Sequence, residues 1–170
     1  MIYCFAFEGG KVIDEKLVHE SVLMFLVTAL FLAGNGIPVN AETRSYDGKS
    51  PYYNDCDSSG STKKSSNLVN ANNQVIGVVE LKFSSTCKTA WAKISMNNTL
   101  TSGYEANAEI TRNTDGKRYN CDSSGGNGKA AAGQKSCYTP MVYDLDPRSS
   151  YAFGKYSGPS LNVWATTGSY

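Results

Sequence analysis

Five stretches of this chain alternate apolar and polar residues with a period of two. Val79, Leu81 and Phe83 interleave with Glu80 and Lys82, and Ala90, Ala92, Ile94 and Met96 with Trp91, Lys93 and Ser95. Tyr104, Ala106, Ala108 and Ile110 interleave with Glu105, Asn107 and Glu109. Met141, Tyr143 and Leu145 form a shorter set, and Leu161, Val163 and Ala165 alternate with Asn162, Trp164 and Thr166. Successive strand residues point to opposite faces, so each set predicts a strand with one buried face. No long stretch carries the 3.6-residue period of an amphipathic helix. Asp47-Gly48 and Asp115-Gly116 are hairpin signals, because glycine takes a positive φ at little cost. Asn97-Asn98 links the second and third sets, and 125–133 is a Gly/Ala-rich loop. The pattern predicts an all-β fold, a small and mostly antiparallel sandwich or barrel.

Two words recur in the same order. Thr43-Arg44-Ser45-Tyr46-Asp47-Gly48-Lys49 and Thr111-Arg112-Asn113-Thr114-Asp115-Gly116-Lys117 both read T-R-x-x-D-G-K. Cys56-Asp57-Ser58-Ser59-Gly60 returns as Cys121-Asp122-Ser123-Ser124-Gly125. Each copy later reaches a second cysteine, Cys87 or Cys137. We read a diverged internal repeat, 43–60 and 111–125. It favours pairing within copies, Cys56–Cys87 and Cys121–Cys137, whereas spacing alone allows three pairings.

Val22 to Ala33 is a run of 12 residues, apolar but for Thr28, too short to span a bilayer and suited to a signal-peptide core. Gly34, Gly36 and Pro38 end it, and Val39-Asn40-Ala41 offers compact residues for cleavage after Ala41. Residues 1–41 are therefore expected to be a signal peptide, and 42–170 a single secreted β domain with no stable membrane insertion after cleavage. The start is acidic, with Lys11 and Lys16 against Glu8, Asp14, Glu15 and Glu20, which does not suit a signal peptide. This predicts that residues 1–16 are an N-terminal extension that is not naturally translated. The gene's nucleotide sequence tests that expectation.

The full chain of 170 residues carries a formal charge of +1, which argues against a strongly basic nucleic-acid binder. Removing residues 1–41 leaves 129 residues, with 14 Lys and Arg against 11 Asp and Glu. Cys4 and His19 leave too, so four cysteines and no histidine remain. An even cysteine count in an exported chain predicts disulfides. Without histidine, the Ser-His-Asp triad, the Cys-His dyad and the histidine-based zinc site are excluded from the domain.

Carboxylate pairs remain available for general acid–base work on a glycosidic bond, with Glu80, Glu105, Glu109, Asp144 and Asp146 as candidates. Glutamates alternating along a strand more often mark a solvated face. Asp55-x-Asp57-x-Ser59-Gly60 resembles the start of a calcium loop, making Asp55 and Asp57 weak metal candidates. Ser66 stands where that loop needs a bidentate Glu, and a polar turn beside a disulfide explains the pattern equally well. Gly125-Gly126-Asn127-Gly128-Lys129 imitates a phosphate loop, but Ser123 and Ala130 break the pattern. No cofactor is expected.

The domain keeps 10 of the 11 tyrosines and both tryptophans, but only Phe83 and Phe153. Tyrosine suits wet, half-exposed surfaces, including those that bind polymers. Tyr52, Tyr53, Tyr138, Tyr143, Tyr151 and Tyr156 are the candidate binding residues, although core edges and turns of small β domains also use tyrosine.

The segments YDGKSPYYNDC (46–56), VVELKFSSTCKTAWAKI (78–94), NAEITRNTDGKRYNC (107–121) and SCYTPMVYD (136–144) resemble the secreted YjfA-type proteins of Gram-positive bacteria. The block Gly77 to Trp91 is similar to a wider bacterial domain of unknown function. The resemblance covers nearly all of the expected domain. It implies export and a structural bridge involving Cys56 and Cys87, and it brings no activity, cofactor or catalytic residue. The expected function is a non-catalytic extracellular or cell-surface binding domain, with a cell-wall polymer or glycan as partner. The alternatives are a small histidine-independent glycan hydrolase and a secreted antibacterial antagonist.

Overall fold

The computed structural model describes residues 7–8, 11–12 and 46–170. The apolar run at 22–33, the expected cleavage site after Ala41 and the first residues of the expected repeat lie outside the described residues. The chain divides into two units, 1–39 and 40–170. In the first, β1 (Phe7–Glu8) pairs antiparallel with β2 (Lys11–Val12). Among the described residues, no helix is long and apolar enough to cross a membrane.

The second unit holds a short 3-10 segment, Tyr53–Ser59, and nine strands in two open sheets. The first sheet contains β3 (Gly60–Val69), β4 (Val75–Ser84), β5 (Thr89–Met96) and β8 (Ser136–Tyr138), in that order. The short β9 (Val142–Tyr143) also pairs with β5. The second sheet has the order β11 (Asn162–Thr166), β10 (Ser150–Ser157), β6 (Glu105–Arg112), β7 (Arg118–Asn120). Every strand pairing in both sheets is antiparallel.

The two sheets share one apolar core. Val79, Leu81, Ala92 and Ile94 of the first sheet meet Ala106, Ala108, Ile110, Ala152, Val163 and Ala165 of the second. The second sheet turns mostly small residues inward, which lets the layers approach closely. A Cβ on Gly154 would lie 2.7 Å from Val79 Cβ and 3.2 Å from Ile94 Cδ1. The architecture is thus a sandwich of open sheets rather than a closed barrel. Both disulfides form as the repeat suggests. Cys56 joins Cys87 with Cα atoms 5.6 Å apart, and Cys121 joins Cys137 at 6.0 Å.

Two of the longer strands carry no alternation that sequence reading detects. β3 reads GSTKKSSNLV, with only Leu68 fully buried, because it lies at a sheet edge and needs little apolar surface. β10 alternates Ser150, Ala152 and Gly154 inward with Tyr151, Phe153 and Lys155 outward, so its larger apolar residues face out. Two expected faces also change. Trp91, on the polar side of its alternation, is only 4 % exposed because the segment from Tyr46 to Ser59 covers it. The Met141–Leu145 set shortens to a two-residue strand, and Leu145 is exposed.

Candidate functional site

The covering segment starts from a buried charge. Arg112, at the end of β6, is 1 % exposed and engages all five of its N–H donors. Nη1 and Nη2 donate to Asp47 Oδ1 and Oδ2 at 2.9 and 3.0 Å. Nε and Nη2 donate to Asp115 Oδ1 and Oδ2 at 2.9 and 2.6 Å, and Nη1 donates to the Tyr143 carbonyl at 3.0 Å. Asp47 and Asp115 are the aspartates of the two T-R-x-x-D-G-K words. The Arg112 guanidinium holds the Asp115 carboxyl well below the usual carboxylate range. Asp47 Oδ1 also accepts the Tyr143 N–H at 2.6 Å, so one carboxylate ties the segment to β6 and β9 together.

Backbone bonds continue the attachment. Gly48 N–H donates to the Met141 carbonyl at 2.9 Å and Met141 N–H to the Lys49 carbonyl at 2.8 Å. Gly48 has a φ of +79° and lies so close to Gly125 that a Cβ on Gly125 would collide with its carbonyl. The chain then turns through Asn54 and Asp55, both at positive φ, so that Cys56 faces inward. Cys56, Trp91 and Met141 form a second small core on the outer side of the first sheet, with Tyr46, Cys87 and Tyr138 packed against it.

Above that core the segment presents an aromatic surface. Tyr46 and Tyr53 meet edge to face with ring centroids 5.9 Å apart, and Tyr52 and Tyr138 do so at 5.4 Å. Tyr52 and Tyr53 are 61 % and 46 % exposed. Lys49 Nζ lies 5.5 Å from the Tyr53 ring centroid, and Asn54 Nδ2 donates to the Tyr46 hydroxyl at 3.3 Å. Apolar ring faces, hydroxyls, an amide and an ammonium thus lie together on a base held by a disulfide. Such a surface can stack on the C–H face of a sugar and hydrogen-bond or ion-pair with its substituents.

Three of the six candidate tyrosines, Tyr52, Tyr53 and Tyr138, therefore come together, and Tyr46 joins them. Tyr143 is 2 % exposed and packs inside, so it takes no part in an exposed surface. Its backbone has a polar task, since both its N–H and its carbonyl serve the Arg112 cluster. Tyr151 lies on the outer face of β10. Tyr156 lies on the inner side and stacks on Tyr104, with centroids 5.5 Å apart and planes 7° from parallel.

The carboxylate candidates are dispersed. Glu80 accepts the Thr62 hydroxyl at 2.7 Å on the outer side of the first sheet. Glu105 pairs with Lys129 at 2.6 Å and Glu109 with Arg118 at 3.2 Å, both on the second sheet. Glu105 and Glu109 are four strand residues apart, hence about 13 Å along β6, beyond the separation of a glycosidase pair. Asp146 is exposed. Asp144 is 5 % exposed, and burial pushes its carboxyl up to about 6. Its Oδ1 accepts the Ser150 hydroxyl at 2.7 Å, while Oδ2 has no partner among the described residues. Asp55 and Asp57 lie in the 3-10 segment, where the Ser58 and Ser59 hydroxyls donate to the Asp55 and Cys56 carbonyls. No group of three or more His, Cys, Asp or Glu side chains that could hold a metal occurs among the described residues.

Sequence reasoning missed Tyr46, Lys49 and the Arg112 cluster. The repeated D-G-K was the available signal, because two aspartates in equivalent words can serve one cation.

The fold and this surface define a disulfide-linked β-sandwich domain with an exposed aromatic face. The chain belongs to the family described as "Protein of unknown function (DUF2690)", whose model matches residues 44–153. It is 85 % identical over 156 residues to the "Uncharacterized protein YjfA" of Bacillus subtilis (strain 168), covering 92 % of this chain and 99 % of that relative. No solved structure matches it.

Proposed function

We propose that the protein is a secreted, non-catalytic binding domain that holds an extracellular polymer on the aromatic surface of Tyr46, Tyr52, Tyr53 and Tyr138. The observation that carries this reading is the convergence of four tyrosines with Lys49 over a buried Trp91–Met141–disulfide base. Exposed aromatics on a rigid base lose little entropy on binding and contribute large contact area. The excess of Lys and Arg beyond residue 41, with Lys49 at the surface itself, favours an anionic polymer of the cell wall. The dispersal of the carboxylates favours binding over hydrolysis.

Co-sedimentation with purified cell-wall fractions tests the reading. Retention at low salt that falls in Tyr52→Ala/Tyr53→Ala is the expected result. Absence of retention at low salt overturns it.

A further inference from the structure

The outer face of the second sheet carries another set of aromatics. Antiparallel partners point to the same side. Trp164 is opposite Lys155, and Phe153 is opposite Thr166 on β11 and Glu109 on β6. Tyr151 follows two residues along β10, opposite Thr111. Trp164 and Phe153 are therefore diagonal neighbours about 7 Å apart, and Phe153 and Tyr151 are separated by a similar distance. Trp164 is 65 % exposed, the most exposed of the large apolar residues among the described residues. A shallow groove of about 340 Å³ beside it is lined by Val69, Asn70, Leu161 and Asn162.

We infer that this face is a second binding site, and that its ligand is an uncharged, extended glycan chain. A row of three rings offers stacking faces to a ribbon-like polysaccharide, whose successive sugars present flat C–H faces. Polar side chains flank the rings: Thr166 is opposite Phe153, Lys155 is opposite Trp164, and Asn162 follows two residues from Trp164 on β11. Charge selects against a polyanion here. Lys155, Arg118 and Lys129 balance Glu105, Glu109 and Asp122 at this face, with Arg118 paired to Glu109 at 3.2 Å and Lys129 to Glu105 at 2.6 Å. An apolar protein partner would find charged and amide groups among the rings without matching ones of its own. The inference stands on a different face from the Tyr52–Tyr53 surface and does not require that surface to function.

The two tryptophans provide the test. Trp91 is 4 % exposed beneath the first surface, whereas Trp164 stands in the open, so ligand on the second face changes the emission of one indole. The full chain would be titrated with linear β-1,4-linked glucose and N-acetylglucosamine hexasaccharides. We expect a saturable blue shift with either or both sugars, kept in Trp91→Phe and in Tyr52→Ala/Tyr53→Ala. Trp164→Ala and Phe153→Ala should each weaken binding at least tenfold, read by calorimetry. No change in Trp164 emission with millimolar sugar, or equal binding in Trp164→Ala, overturns the inference. Self-association that disappears in Trp164→Ala, seen by sedimentation without sugar, would assign the face to a second copy and overturn it as well.

Discussion

Arg112 and Asp47 form a bidentate ion pair across 65 residues of chain, with Nη1–Oδ1 at 2.9 Å and Nη2–Oδ2 at 3.0 Å. Their side chains are 2 % and 10 % exposed, so the pair works in a poorly solvated setting. The pair anchors the start of the segment that carries Tyr46, Tyr52 and Tyr53. A buried contact in the sandwich thereby positions an exposed surface.

Removing the cation leaves two carboxylates facing each other with no counter-charge, one of them buried. Arg112→Leu should therefore cost about 3–5 kcal/mol. Asp115→Asn should cost less, because the Asp115 side chain is 46 % exposed and water can replace part of its bond. Urea unfolding of both variants checks the order. Equal losses would mean that Asp47 does not dominate the cluster.

Asp144 gives the pH dependence an unusual sign. Its folded carboxyl titrates at about 6 against 3.8 unfolded, so the folded state binds this proton more tightly. The resulting stability is complete below about pH 4 and is lost as pH rises towards and through 6, a difference of about 1–3 kcal/mol. Asp115 acts oppositely: its carboxyl is held low by Arg112, and its contribution is lost as the solution becomes strongly acidic. Stability should peak between those ranges. Asp144→Asn keeps an acceptor for Ser150 and should flatten the decline between about pH 4 and 6, measured by urea midpoints. An unchanged slope in that variant would assign the decline to another group.

The bridges should be Cys56–Cys87 and Cys121–Cys137 by non-reducing peptide mass spectrometry, and a Cys56–Cys121 peptide would contradict the structure. They enclose separations of 31 and 16 residues. Chain-entropy arguments assign such loops about 3–4 kcal/mol each. The Cys56–Cys87 bridge lies under the aromatic surface. Cys56→Ser/Cys87→Ser should lower wall-polymer binding as well as Tm, whereas Cys121→Ser/Cys137→Ser should mainly lower Tm.

Gly154 is a point of close approach between the sheets. A Cβ there would lie 2.7 Å from Val79 Cβ, on a strand held from both sides, so neither backbone moves easily. Gly154→Val should destabilise by about 1–3 kcal/mol or more. Val79→Ala in the same chain should recover part of the loss, and failure of the rescue would place the strain elsewhere.

Tyr52→Ala/Tyr53→Ala should change Tm only slightly, since both rings are about half exposed, and weaken wall-polymer binding about tenfold or more. Thermal unfolding and co-sedimentation, run together, separate a binding defect from a folding one.

Much of the sandwich was legible in the residues themselves. Period two in β4, β5, β6 and β11 needs only local geometry, because a strand with one wet face must alternate. The disulfide pairing followed from a repeated word, another one-dimensional signal. β10 was hidden because its inward residues are small, a choice that makes sense only once Val79 and Ile94 lie against Gly154. The candidate site was half legible. Tyrosine abundance pointed to an aromatic surface, yet Tyr143 turned inward, Tyr156 stacked on Tyr104, and Tyr46 joined Tyr52, Tyr53 and Tyr138. Those outcomes depend on which segment covers Trp91 and which aspartates reach Arg112. Sequence by itself determined strands, turns and cross-links, because these arise from neighbours along the chain. Only the tertiary structure decided which rings share a surface, because contacts across 65 residues follow from how the sheets and loops close on one another.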